Sequence, residues 1–310
     1  LVSWRWIFLL NLPIAAVAIL VTVLFIPKKP ASSLEERKID YGGIAVLSVG
    51  LVALLLALDQ GTDLGWLNPR IIAFFAIAAV FLVAFGWIED RVGDRAQVPR
   101  DVMKNSAFIA SAAVTLMISS LIFATFVYLP QYMMKHLGYS AFLAGVGLLP
   151  LMGVFAATSF ASGPLYNKVG AKVAVTAGAI GLAAGVFMLT VIGEAPPYTS
   201  LVAGMVVLGF GIGLFFSSVT TAGITAVDDS RSSLAGAIIY IAQIAGGTIG
   251  LGLNTAIFAT APTLPEGISR AFFVDGCLAV AGVVIALFFI GGKLDKKKIE
   301  SAIHRHRAHC

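Results

Sequence analysis

Apolar residues follow one another along this chain in long stretches separated by short polar segments. Residues 6–27, 41–58, 71–88, 105–134, 136–167, 173–193, 195–227, 232–265 and 276–292 contain no Asp, Glu, Lys or Arg. A helix rises about 1.5 Å per residue, so about 20 residues cross roughly 30 Å of hydrocarbon. Every stretch is near that length or longer. The pattern predicts nine transmembrane helices, near 6–26, 42–58, 70–88, 107–128, 140–162, 172–193, 199–218, 233–258 and 271–291. A helix satisfies its own backbone in lipid, whereas a barrel strand needs about 10 residues of alternating polarity. The expected fold class is an all-α integral membrane protein, a polytopic helical bundle.

Two hydrophilic linkers, 27–41 and 89–106, group these helices. The expected layout is one helix (1–26), a two-helix hairpin (42–88), a six-helix bundle (107–291) and a basic tail (292–310). Transporters are commonly built from six-helix bundles used in pairs. An odd number of spans starting at residue 1, with neither Met nor a charged leader, reads as a piece of something larger.

Composition supports the membrane class. Charged residues make up 12% and hydrophobic residues 59%, against about 25% and about 45–50% in soluble domains. A disordered chain would be polar and highly charged. Two cysteines, Cys277 and Cys310, imply no disulfide scaffold, and 32 glycines without a triplet period imply no collagen. The net charge of +5 is not spread over a soluble face, so no nucleic-acid partner is expected.

Lys and Arg gather in cytoplasmic loops. With the first residues outside, only Arg5, Arg70, Lys135 and Arg270 of the 21 basic residues lie on the outer side. The expected orientation therefore places the C-terminal tail in the cytoplasm, at the plasma or inner membrane. The tail basic residues read as a topology signal that can also attract anionic lipid. His304, His306, His309 and Cys310 read as a solvated terminus rather than a metal site. No metal and no cofactor is expected.

The 16 acidic residues fall at span ends or in loops. The deepest is Asp275, four or five residues into the last predicted helix. It reads as an interfacial cap paired with Arg270, with an outer-side proton path as the second reading. Candidate cavity-lining residues are neutral: Ser111, Thr115 and Ser119 at four-residue spacing, nearby Phe126, then Gln131, Pro150, Gln243 and Asn254. A polar-to-aromatic stripe suits an amphipathic ligand. The alternative for the hydroxyls is hydrogen bonding between helices, worth about 0.6 kcal/mol each, and Gln243 reads equally either way. Small residues at 242, 246 and 250, at 181 and 185, and at 209 and 213 read as close-packing stripes. Pro130 is expected to end its helix and Pro150 to kink the next. HExxH, CxxC, GxSxG and Walker A patterns are absent, so neither an enzyme nor a self-contained ATP-driven pump is expected.

Several segments resemble a known family. Residues 4–14 (WRWIFLLNLPI) are similar to the WRWIFxINxPI start of the sixth helix in fourteen-span drug:proton antiporters of the major facilitator superfamily, the EmrB/QacA-like group. DYGG at 40–43 is similar to the D-[WY]-x-G that opens their seventh helix. YLPQY at 128–132, LGYS at 137–140 and Ala144-Gly145 resemble their YLPxYxQxxxGYSxxxAG stretch. GPLYNKVGAK at 163–172 resembles the superfamily's cytoplasmic G-x-L-x-D-R-x-G-x-[RK] loop. Gly163, Leu165, Lys168, Gly170 and Lys172 fit that loop, and Asn167 stands where an acidic residue is usual.

The resemblance covers the whole chain in order. It implies spans six to fourteen of fourteen, with the 42–88 hairpin as the two central extra helices. It implies proton-driven efflux of small amphipathic compounds, with 163–172 as a gating loop. The family's coupling acid lies in earlier helices. Protons, lipid and an organic substrate are the implied partners; a periplasmic adaptor is left open. Two alternatives remain: another cargo, such as a lipid precursor, sugar or metabolite, or a non-transporting membrane scaffold or sensor.

Overall fold

The computed structural model describes residues 5–25, 41–92, 102, 104–228 and 231–291. No strand occurs among them. Contacts divide the chain into two units, Leu1–Ile39 and Asp40–Cys310. The first holds α1 (Arg5–Phe25), with Pro13 inside it. The side chains of Leu12, Val17, Ile19 and Phe25 are exposed.

The second unit contains α2 (Tyr41–Leu64) and α3 (Pro69–Val92), an antiparallel hairpin turning at Gly65, whose φ is +86°. Then come α4 (Ser106–Lys135), α5 (Ala141–Gly147), α6 (Leu149–Val169) and α7 (Ala171–Leu189), which runs into a 3-10 turn (Thr190–Glu194). Last are α8 (Tyr198–Thr225), α9 (Ser232–Phe258) and α10 (Leu264–Phe289). Six described helices are long and apolar enough to cross a membrane, or seven with the bent pair α5–α6 as one span. The shorter apolar runs Asn11–Phe25 and Gly42–Ala57 mark the remaining predicted positions.

These helices are apolar on nearly every face, as expected where the surroundings are lipid or other helices. Val80, Phe142, Phe160 and Phe288 are each at least 65% exposed. So much exposed bulk would be a liability in water and is ordinary against acyl chains. The core sits among α4, α7 and α8, around Ile118, Leu121, Leu182, Val186, Met205 and Phe215.

The glycine stripes set how closely the helices meet. A methyl group at Gly185 would sit 2.6 Å from the Leu208 amide nitrogen, and one at Gly213 would sit 2.6 Å from the Phe155 carbonyl oxygen. Gly246 and Gly250 likewise bring α9 onto the Leu116 backbone and Ser120 of α4. Close backbone approach is how small residues let helices pack where the lipid gives no hydrophobic drive.

Three sequence expectations change. Pro130 does not end its helix: α4 continues to Lys135, where the His136 amide donates to the Tyr132 carbonyl at 2.9 Å. Tyr132 and Met133 are fully buried, so packing holds the turn that proline weakens locally. The kink expected at Pro150 is a break at Leu148: α5 and α6 meet at 42°, with Pro150 in the first turn of α6. Proline lacks a backbone donor and is at home there. The segment 163–172 is mostly helical. Gly163, Leu165, Asn167 and Lys168 lie on the last turns of α6, and Lys172 lies on the first turn of α7. Only Gly170 breaks the run, at φ +86° and ψ 166°, a conformation open essentially to glycine alone. The tail with His304, His306, His309 and Cys310 lies outside the described residues, as do residues 27–40 and most of the second linker.

Candidate functional site

The last helix decides where the acidic chemistry sits. Thr263 caps α10, its side chain accepting from the Glu266 amide at 3.4 Å, and Pro265 lies in the first turn. The helix thus starts at Leu264, seven residues before the expected 271. Asp275 is then about 16 Å along it, at about 1.5 Å per residue.

Asp275 is fully buried. Arg270 does not reach it: that guanidinium pairs with Glu266 at 2.5 Å on the exposed start of the same helix. The interfacial cap expected from the sequence is therefore replaced by a buried carboxyl. Its partners come from two other helices. Ser120 on α4 donates to Asp275 Oδ1 at 2.5 Å, and Asn254 on α9 donates through Nδ2 to Asp275 Oδ2 at 2.8 Å. The Asn254 amide also lies 3.4 Å from Ser120 Oγ. Ser120 and Asn254 are themselves buried. Asn254 Oδ1 is buried without a hydrogen-bond partner among the described residues. No Lys, Arg or His pairs with Asp275 among the described residues.

The packing that builds this triad is local. Gly250 lets α9 approach Ser120 of α4, and Gly276, beside Asp275, lies against the Phe187 ring of α7. Further along the α4–α9 contact, Tyr128 and Thr255 hydroxyls are 3.0 Å apart, and Tyr128 stacks on Phe258.

The other candidates separate. Ser111, Thr115 and Ser119 are buried, yet each hydroxyl donates to the carbonyl four residues back on its own helix, at 2.8, 2.7 and 2.6 Å. Phe126 packs against the core. Gln131 accepts from Lys135 Nζ at 3.2 Å, and Gln243 is half-buried on α9. Of the cavity candidates only Asn254 belongs to the triad. Gly163, Leu165, Asn167 and Lys168 are exposed, and Gly170 is buried. Beside them the buried Tyr166 reaches the end of α8, its hydroxyl 3.5 Å from Thr225. An open groove of about 310 Å³ lies in the α2–α3 hairpin, lined by Val52, Leu56, Phe74 and Ile77 among others.

Sequence reasoning missed Ser120. It sits beside Ser119 but on the neighbouring face, opposite the small-residue stripe of α9. That stripe was the available signal, since a glycine at 250 demands a small partner. The Thr263-x-x-Glu266 spacing likewise announced the earlier helix start.

These membrane-length helices, three of which converge on one buried carboxyl, define a polytopic helical membrane protein. The Major Facilitator Superfamily model matches the chain twice, over residues 1–251 and 112–308. The chain belongs to that superfamily. It is 27% identical to the MFS-type transporter VdtG of Byssochlamys spectabilis, over 86% of this chain and 51% of the relative. It is 26% identical to multidrug resistance protein Stp of Mycobacterium tuberculosis, over 87% and 50%. It is 29% identical to puromycin resistance protein pur8 of Streptomyces alboniger, over 94% and 58%. The chain thus spans about half the length of the curated relatives it matches.

Proposed function

We propose that this chain is the C-terminal part of a secondary transporter that expels small amphipathic organic compounds in exchange for protons. The observation that carries this reading is the similarity, over most of the chain, to proteins named for multidrug and puromycin resistance. A cavity lined by neutral polar and aromatic groups would suit such cargo. The fourteen-span layout is part of the same proposal: α1 would close the N-terminal half, α2–α3 would form a central hairpin, and α4 to α10 would form the C-terminal half.

In this reading the cavity lies between the two halves and changes sides as they rock. The α6–α7 junction, with Gly163, Leu165, Asn167, Lys168, Gly170 and Lys172, would face the cytoplasm and hold the inward-closed state. Ser111, Thr115, Ser119, Phe126, Gln131, Pro150, Gln243 and Asn254 are the proposed lining and flexing positions.

The test is transport by the full-length protein in inverted membrane vesicles. A lipophilic cation dye should be accumulated when a proton gradient is imposed and should leak out when a protonophore collapses it. Accumulation indifferent to the protonophore removes the proton coupling. No dye movement, together with uptake of a sugar or lipid precursor from a cargo panel, removes the drug-efflux reading.

A further inference from the structure

Asp275, Ser120 and Asn254 form the one described cluster that joins three helices through a titratable side chain. An ionised carboxylate inside a membrane protein costs several kcal/mol unless a cation answers it. Here two neutral donors answer it.

The hydrogen bonds suit both forms of the acid. When it is ionised, Ser120 donates to Oδ1 and Asn254 donates to Oδ2. When it is protonated, the acid can donate to Ser120 Oγ along the same 2.5 Å line, because a hydroxyl serves as donor or acceptor. Asn254 still serves the other oxygen. The chemical change is one proton on one carboxyl oxygen, with no bond broken between heavy atoms.

The surroundings say what else responds to charge. On α4 the nearby titratable group is Tyr128, held by Thr255. On α9 it is Tyr240, which is 62% exposed. On α7 it is Lys172, in the helix's first turn, far in sequence from the Phe187 that meets Gly276; Glu194 lies in the 3-10 turn beyond. On α10 itself Glu266 and Arg270 neutralise each other. None of these supplies a countercharge to Asp275 through a hydrogen bond or ion pair.

We propose that Asp275 is a proton-exchange site of the C-terminal bundle, gated by the fit of α4, α9 and α10 around it. Closed helices hold the neutral acid. Parting them admits water, which solvates the carboxylate and takes the proton. The glycine contacts make this gate tight, since Gly246 meets the Leu116 backbone and Gly250 lies against Ser120 itself. The transport consequence rests on the efflux reading above; the exchange of the proton does not.

Two measurements test it separately. First, the full-length protein in detergent is titrated and followed by infrared difference spectroscopy, wild type against Asp275→Asn. A carbonyl band of a protonated buried acid should be present at low pH and disappear reversibly as the pH is raised. The band should be missing in Asp275→Asn and return in Asp275→Glu. No such band in the wild-type chain overturns the proposal, and so does a band unchanged in Asp275→Asn. A band lost on adding sodium at constant pH also overturns it, in favour of a metal cation.

Second, in full-length protein, Asp275→Asn should cut efflux driven by a proton gradient by about tenfold or more. Substrate exchange at equal pH should stay within about twofold, a split that a merely structural defect would not produce. Equal loss of both activities, or loss of neither, overturns the coupling role. A wild-type protein that titrates but moves no dye would sink the efflux reading and leave the proton site standing.

Discussion

Gly250 of α9 lies directly against Ser120 of α4, so closely that a methyl group at 250 would fall on the serine hydroxyl. The contact presses together the two helices whose side chains hold Asp275. Gly250→Ala should therefore force α4 and α9 apart and cost about 1–3 kcal/mol, as overpacking does. Thermal unfolding in detergent checks this. Gly153→Ala is the control: it is helical and meets nothing within 4 Å, so it should be neutral or slightly stabilising.

Ser119 and Ser120 are adjacent and both buried but are bonded differently. Ser119 donates back into its own helix, whereas Ser120 donates to Asp275 across the bundle. Ser120→Ala should cost about 1–3 kcal/mol by stripping a buried acceptor of its partner, and Ser119→Ala much less. Denaturant titrations of the two variants, run side by side, would expose a reversed order.

Arg270 pairs with exposed Glu266 rather than with Asp275. Both partners are more than a third exposed, and such pairs are worth about 0–1 kcal/mol. Arg270→Ala should leave the unfolding midpoint nearly unchanged at any salt concentration. A large loss would mean that the arginine serves the buried acid after all.

Gly170 holds a backbone conformation that other residues reach only with strain of about 1–3 kcal/mol. Gly170→Asp adds a negative charge beside Lys168 and Lys172. The variant should still insert into the membrane, yet efflux by the full-length protein should fall. Insertion is read by membrane fractionation and efflux by dye accumulation in vesicles. Undiminished efflux would remove the proposed gating role of the α6–α7 junction.

The proposed orientation places Cys310 in the cytoplasm. In a Cys277→Ser background, a membrane-impermeant maleimide should label Cys310 in inverted vesicles and not in intact cells. The opposite pattern would reverse the topology.

Each place where the chain was read as a span carries a helix, because span length and hydropathy are one-dimensional properties. Boundaries moved where polar residues were taken as the edge of the lipid. Glu266 and Arg270 suggested that the last helix began after them, although Thr263 and Glu266 already carried a capping signal for an earlier start. The 163–172 segment was legible as a motif but not as helix, since its polar residues lie on exposed turns of α6.

The sequence by itself determined the class of this protein: runs of apolar residues too long and too poorly charged for water leave a membrane helical bundle as the available fold. Only the tertiary structure decided that Asp275 is buried among Ser120 and Asn254 rather than tied to Arg270 at an interface. The reason is rotational. A helix that is apolar on every face carries no polar stripe to say which side meets lipid and which meets a neighbour. That choice is made by close packing at Gly246, Gly250 and Gly276, and it becomes visible only when the helices are side by side.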